Sequence, residues 1–200
     1  GESYMDVWWD SPKLDVFLEK LMRAQLDKRL SLSKVLVYVK AKLLNLQSIR
    51  PKNIAQAHYN IGNDLYEAML GKTMQYSCAY WKDAKTLDQA QKNKLDLIAR
   101  KLKLKKGMKV LEFGGGFGHL AKYLAQNYGC SVTVYNISRE QVRYARKVCR
   151  GLPVKIMQKD YREAKGTFDR VVSVGFFEHV GYKNYEKHMK LIHDRLTNEG

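Results

Sequence analysis

The chain has 200 residues, 36 of them Lys or Arg against 20 Asp or Glu, a net charge of +16 with 45% apolar residues. That is enough chain for one filled core plus an accessory segment, with a composition neither collagen-like nor disordered. No apolar run reaches the ~18 residues of a membrane-spanning helix.

The N-terminus, Gly1-Glu2-Ser3-Tyr4-Met5-Asp6, has neither the basic nor the apolar region of a signal peptide and no initiator Met. Thr197-Asn198-Glu199-Gly200 reads as a turn, so both ends are expected to continue into a longer protein. Cys78, Cys130 and Cys149 form no C-x-x-C pair, which argues for a reducing cytosol and against a disulfide framework or a thiolate zinc site. No metal is expected. His188 and His193 are five apart, a spacing that does not put both rings on one helix face.

The basic excess implies an anionic partner: nucleic acid, a phospholipid surface or acidic small molecules. Denser patches occur at Lys101-Lys103-Lys105-Lys106 and Arg139-Arg143-Arg146-Lys147-Arg150. Each patch alone reads as a solvated face. Near an anionic bilayer each such cation contributes roughly 1 kcal/mol, so a modest subset would suffice for peripheral binding.

In chain order, Leu14, Phe17, Leu18, Leu21, Met22 and Leu26 predict a helix from Leu14 to Leu30. Asp10 or Ser11, followed by Pro12, would cap it. A second amphipathic run carries Val35, Leu36, Val39, Leu43 and Leu46 among Lys34, Lys40 and Lys42. Both read as packed faces of a helical segment, with lipid contact as the alternative. A helix over Asp83–Leu104 follows, with Leu87, Ala90, Leu95, Ile98 and Leu102 inward. Strands are then predicted at 109–113, 131–137, 154–158 and 170–174, with helices at 119–126, 139–149 and 184–196. Strands alternating with helices predict an α/β fold with a mostly parallel sheet covered on both faces. Ligands then bind at the strand C-termini. Four strands make an incomplete sheet, so more are expected after Gly200.

Val110-Leu111-Glu112-Phe113-Gly114-Gly115-Gly116-Phe117-Gly118 runs from a strand through a glycine turn into a helix. Without Cβ atoms the backbone can approach a ligand closely. The spacing is not G-x-G-x-x-G, and Asn136 stands where a dinucleotide site usually has an acid. The loop suits the amino-acid portion of S-adenosylmethionine, with Glu112 favouring a cationic ligand.

Two further segments are unusual. One is His58-Tyr59-Asn60-Ile61-Gly62-Asn63-Asp64-Leu65-Tyr66 with Met74-Gln75-Tyr76-Ser77-Cys78-Ala79-Tyr80-Trp81. The other is Val174-Gly175-Phe176-Phe177-Glu178-His179-Val180-Gly181. Together with the glycine loop they closely resemble the cyclopropane fatty acid synthase family, over essentially the whole chain. The resemblance implies a Rossmann-like S-adenosylmethionine methyltransferase sheet, truncated after the fourth strand and preceded by a helical N-terminal segment. Residues 1–50 would be the end of an accessory domain and linker, and 51–200 the methyltransferase domain.

The chemistry implied is methylene addition from S-adenosylmethionine across a cis double bond of an unsaturated phospholipid acyl chain. The alkene attacks the sulfonium methyl, and the resulting carbocation loses a proton to close the ring. Such a site must exclude water, and aromatic faces would stabilise the cation. Tyr76, Tyr80, Trp81, Phe117, Phe176 and Phe177 are candidates, with core packing as the plain alternative.

The resemblance also implies a bicarbonate base, held by Glu178 and by the backbone of Cys78. A capping or salt-bridging role is the alternative for Glu178, and a small buried apolar role for Cys78. A His and a Tyr of the family's site would fall beyond Gly200, so these residues alone should be inactive. For the cofactor, Tyr76 and Ser77 match the sulfonium end, and Gly114 and Gly116 the amino-acid end. Asn136, Ile137 and Gln141 match the ribose, and Asp160, Tyr161 and Arg162 the adenine. The chain departs from the usual pattern at Glu112 for Asp, Gly115 for Cys, Phe117 for Trp, and Val134-Tyr135-Asn136 for Gly-Val-Thr.

The expected partner is therefore a phospholipid membrane surface, with a homodimer left open. The expected location is the cytoplasm, peripherally on the inner face of the membrane. Methyl transfer to an amine or an acyl chain without ring closure is the alternative within the family. A nucleic-acid-binding module would suit the charge, but no recognition motif is present and both aromatic motifs would go unexplained. No nucleic-acid partner is expected.

Overall fold

The structure is a computed structural model that describes residues 6–25, 36 and 63–200. The chain separates into two compact units, Gly1–Leu46 and Gln47–Gly200. In the first, α1 spans Leu14–Arg23 and buries none of its residues, so its apolar stripe is not the packed face expected. Phe17 instead packs on Trp9, ring centroids 4.7 Å apart. The expected cap is also not formed. Lys13 holds the N-cap position without a side-chain bond, because the Asp10 carboxylate accepts from the Ser11 N–H at 2.7 Å. The helix stops short of the predicted Leu30: Gln25 has φ 47°, and 26–30 lie outside the described residues, as does the 35–46 run apart from Leu36.

The first described elements of the second unit are α2, Asn63–Leu70, and a 3-10 turn at Gly71–Thr73. Helix α3, Leu87–Lys101, begins later than predicted because Thr86 is the N-cap, its hydroxyl accepting from the Gln89 N–H. Asp83, with φ 56°, turns the chain just before it, and Lys103, with φ 51°, prevents its extension to Leu104. Then follow β1 Lys109–Phe113, α4 His119–Tyr128, β2 Ser131–Asn136, α5 Arg139–Val148, β3 Val154–Gln158, β4 Arg170–Ser173 and α6 Tyr185–Arg195. Every strand and helix predicted from residue 109 onward is present, with ends shifted by two residues or fewer.

The sheet has four parallel strands in the order β3-β2-β1-β4. Alternate residues of β1 enter opposite cores. Val110 joins Leu95, Leu120, Leu124, Val132 and Val142 under α3, α4 and α5. Leu111 and Phe113 join Phe168, Leu191 and Ile192 on the α6 side. Phe113 is fully buried, and its removal to Ala would cost about 3–5 kcal/mol. Burial on both faces explains why the strands read as apolar runs. The chain builds outward from β1 through β2 to β3, then returns to β1's other side for β4. The switch point therefore lies between the C-terminal ends of β1 and β4, where open parallel sheets form ligand crevices.

Candidate active site

A cleft of about 1150 Å³ opens at that switch point. Glu178, Cys78, Tyr76, Ser77, Gly114, Gly116, Asn136, Ile137, Gln141, Asp160, Tyr161 and Arg162 all line it. Residues as far apart in sequence as Tyr76 and Glu178 thus meet in one place, because the turns after β1, β2, β3 and β4 all leave the same sheet edge.

The glycines of the turn after β1 serve different ends. A Cβ at Gly114 would strike the Phe176 ring, one at Gly115 would strike Val134, and one at Gly118 would lie 2.8 Å from the Ala145 Cβ. Those three meet packing requirements inside the protein, and Gly114 and Gly115 line the cleft as well. Gly116 differs. Its φ is +51°, and nothing lies within 4 Å of where its Cβ would stand. Its backbone is the part of the turn left open. Glu112, beneath the turn, is buried with Oε2 unpartnered among the described residues. Burial pushes its carboxyl up to about 8. A buried acid without a partner suits a cationic ligand group arriving above it.

On the β2 side, Asn136 Nδ2 donates to the Gly116 carbonyl at 3.2 Å and to Gln141 Oε1 at 3.0 Å. Its Oδ1 accepts from the Ser138 N–H at 3.0 Å. These bonds fix the turn from below, and they commit most of the Asn136 amide. After β3, Asp160 caps the Tyr161–Glu163 turn and pairs with Arg162. Its Oδ1 accepts from Arg162 N and Nε, each at 2.9 Å, and its Oδ2 from Nη2 at 2.7 Å. The Tyr161 ring packs edge-on against Phe176 and His188 at 5.2 and 5.1 Å.

The aromatic turn at 75–78 is held from α3. Gln91 Nε2 donates to the carbonyls of Gln75 at 3.4 Å and Ser77 at 3.2 Å. Lys94 Nζ donates to the Ser77 carbonyl at 3.3 Å and to Ser77 Oγ at 2.9 Å. Both side chains are buried, and the sequence reading missed both. Their i, i+3 spacing puts them on the inward stripe with Ala90 and Leu95, but that spacing alone does not point to the turn they hold. Leu87, expected inward, is 40% exposed. Across the cleft, a Cβ on Gly175 would stand 3.7 Å from the Ser77 Cβ and 4.0 Å from Glu178 Oε1, so the two motif turns meet there. Glu178 is exposed and takes no ion pair or hydrogen bond among the described residues, against the capping and salt-bridge readings. Cys78 is exposed, not a buried apolar filler.

Of the aromatic candidates, Tyr76, Tyr80, Phe117 and Phe176 line the cleft, whereas Trp81 and Phe177 do not. Phe177 stacks on Tyr185 at 4.3 Å instead, and Trp81 is 55% exposed. Phe117 belongs to a buried cluster with Tyr66 and Met74. His188 is buried against Phe113, Phe176 and Phe177, while the His193 side chain is 90% exposed. The two basic patches are solvated. Among the described residues no cluster of His, Cys, Asp and Glu could hold a metal, and no helix is long and apolar enough to cross a membrane.

The chain is similar to proteins that share this arrangement. It is 49% identical to the cyclopropane-fatty-acyl-phospholipid synthase of Escherichia coli K12, over all of this chain and 53% of that one. It thus spans about half the length of that curated relative. A mycolic acid cyclopropane synthase complexed with SAH and CTAB superposes with a TM-score of 0.71 at 30% identity, covering 74% of this chain and 53% of that one. A coclaurine N-methyltransferase bound to N-methylheliamine and SAH gives 0.68 at 26% identity, covering 95% of this chain and 57% of that one. The family model for mycolic acid cyclopropane synthetase matches residues 47–200. With its sheet, its glycine turn and both aromatic motifs in place, the chain belongs to the mycolic acid cyclopropane synthetase family.

Proposed function

We infer that the intact protein is a cyclopropane-fatty-acyl-phospholipid synthase, transferring a methylene from S-adenosylmethionine to the cis double bond of an unsaturated phospholipid acyl chain. The observation that carries this reading is the meeting of the Tyr76–Cys78 and Gly175–Glu178 turns in the cleft that Gly116, the open glycine of its turn, also lines. The 49% identity to the E. coli synthase supports the same substrate class. The residues fit the cofactor. Gly116 presents bare backbone, and Glu112 offers a buried carboxyl, unpartnered among the described residues, that an arriving cationic group would help to ionise.

In this reading Gly114 and Gly116 hold the cofactor's amino-acid end, and Tyr76 and Ser77 its sulfonium end. Asn136, Ile137 and Gln141 hold the ribose, and Asp160, Tyr161 and Arg162 the base. S-adenosylmethionine, when bound, supplies an electrophilic methyl. The chain's own residues orient the acyl chain and shield it. Tyr80 and Phe176 offer aromatic faces to developing positive charge. Glu178, without a partner among the described residues, and the Cys78 backbone would hold a bicarbonate base.

Residues 1–50 would belong to an accessory segment, with 51–200 as the methyltransferase domain. The protein would act at the inner face of the cytoplasmic membrane, drawn there by its +16 charge. A second reading, methyl transfer without ring closure, is favoured by the coclaurine N-methyltransferase likeness over 95% of the chain. The test is the lipid profile of a cyclopropane-free host expressing the intact gene. The reading expects acyl chains heavier by one CH₂ that have lost their olefinic carbons. Methyl-branched lipids, or an unaltered profile, would favour the second.

A further inference from the structure

Lys94 is 8% exposed and lines the cleft, yet no carboxylate lies within ion-pairing distance among the described residues. Its partners are neutral oxygens, Ser77 Oγ and Ser77 O. Burial pushes the ammonium down to about 8, and the Cys78 thiol offsets this only in part. A desolvated cation held at a ligand cleft without a counter-ion carries a cost that an arriving anion would remove. A Lys donating only to a turn's carbonyl and hydroxyl could be replaced there by a neutral donor without that cost. The clamp alone therefore does not explain the charge, because Gln91, one helical turn earlier, already holds the Ser77 carbonyl as a neutral donor at 3.2 Å.

We propose that Lys94 reads a carboxylate, that of the amino-acid end of S-adenosylmethionine, with Ser77 fixing the ammonium in position. This rests on the cofactor reading above. Glu112 and Lys94 line the same cleft without pairing with each other. They would give the zwitterionic end of the ligand an acid for its ammonium and a cation for its carboxylate.

The test is calorimetric titration of the intact protein with S-adenosylhomocysteine and with its decarboxylated analogue, which keeps the nucleoside, the sulfur and the amine. Wild type should bind both, the first more tightly. Lys94→Met should lose about 10- to 100-fold more for S-adenosylhomocysteine than for the analogue, the range of a charge-assisted hydrogen bond. Lys94→Gln, which keeps a donor for Ser77, should behave as Lys94→Met does. Rescue by Gln, or equal losses for both ligands, would make Lys94 a clamp of the turn and overturn the proposal. A loss seen only when bicarbonate is present would assign Lys94 to the inorganic anion and overturn it likewise. A wild type that binds neither ligand would reject the cofactor reading itself.

Discussion

The Asn136 side chain donates to the Gly116 carbonyl at 3.2 Å, so the end of β2 grips the glycine turn at the residue where an added Cβ would meet nothing within 4 Å. The same amide donates to Gln141 Oε1, which ties the turn to the first residues of α5. Asn136→Ala strips a donor from two acceptors in a buried setting. A loss of about 1–3 kcal/mol is expected, read by denaturant unfolding, together with weaker S-adenosylhomocysteine binding. Unchanged values for both would mean the turn stands without this strut.

Gly114 and Gly116 separate packing from binding. Gly114→Ala drives a Cβ into the Phe176 ring and should lower the melting temperature sharply, as overpacking typically costs about 1–3 kcal/mol. At Gly116 an added Cβ meets nothing within 4 Å, so Gly116→Val starts in open space. It carries only the strain of a left-handed backbone, about 1–2 kcal/mol, but places a β-branched side chain in the ligand's approach. Calorimetry should show no S-adenosylmethionine binding by a protein that still unfolds cooperatively. Retained affinity would show that the turn does not approach the cofactor.

Glu178→Gln should lower turnover by about 100-fold or more in the intact enzyme, the scale of losing a general-base partner, with cofactor affinity unchanged. Glu178 makes no bond that stabilises the described fold, so the melting temperature should also hold. Steady-state lipid methylation beside calorimetry reads both. Equal turnover would release Glu178 from the proposed site.

Burial raises the Glu112 carboxyl from 4.5 to about 8, so the folded state keeps a proton that the unfolded state has lost between those values. Its contribution to stability is complete below about 4.5 and declines as pH rises towards about 8, by at most ~1.4 kcal/mol per pH unit. Glu112→Gln cannot ionise. The gap in unfolding free energy between variant and wild type should therefore move in the variant's favour from pH 5 to pH 8. A constant gap would mean that Glu112 is ionised in the fold.

The strands were legible because burial on both faces makes them predominantly apolar, as at Val110, Leu111 and Phe113 and at Val132, Val134 and Tyr135. The turns were legible because glycine and aromatic residues there serve few ordinary purposes. Lys94 and Gln91 were not legible as site residues. A Lys in a helix is read as solvated, and only the fold shows that Ser77, 17 positions earlier, lies over it. The ends of α3 were misjudged because capping by Thr86 and the left-handed turns at Asp83 and Lys103 outweighed the apolar periodicity. Trp81 and Phe177 failed as cleft residues because a motif fixes neighbourhood, not the direction of each side chain.

The most direct test is a crystal structure of the intact protein with S-adenosylhomocysteine. The account predicts the ligand's sulfur between the Tyr76–Cys78 turn and Glu178, with its amino-acid end over Gly116. A ligand bound elsewhere, or with its sulfur turned away from both motif turns, would contradict it.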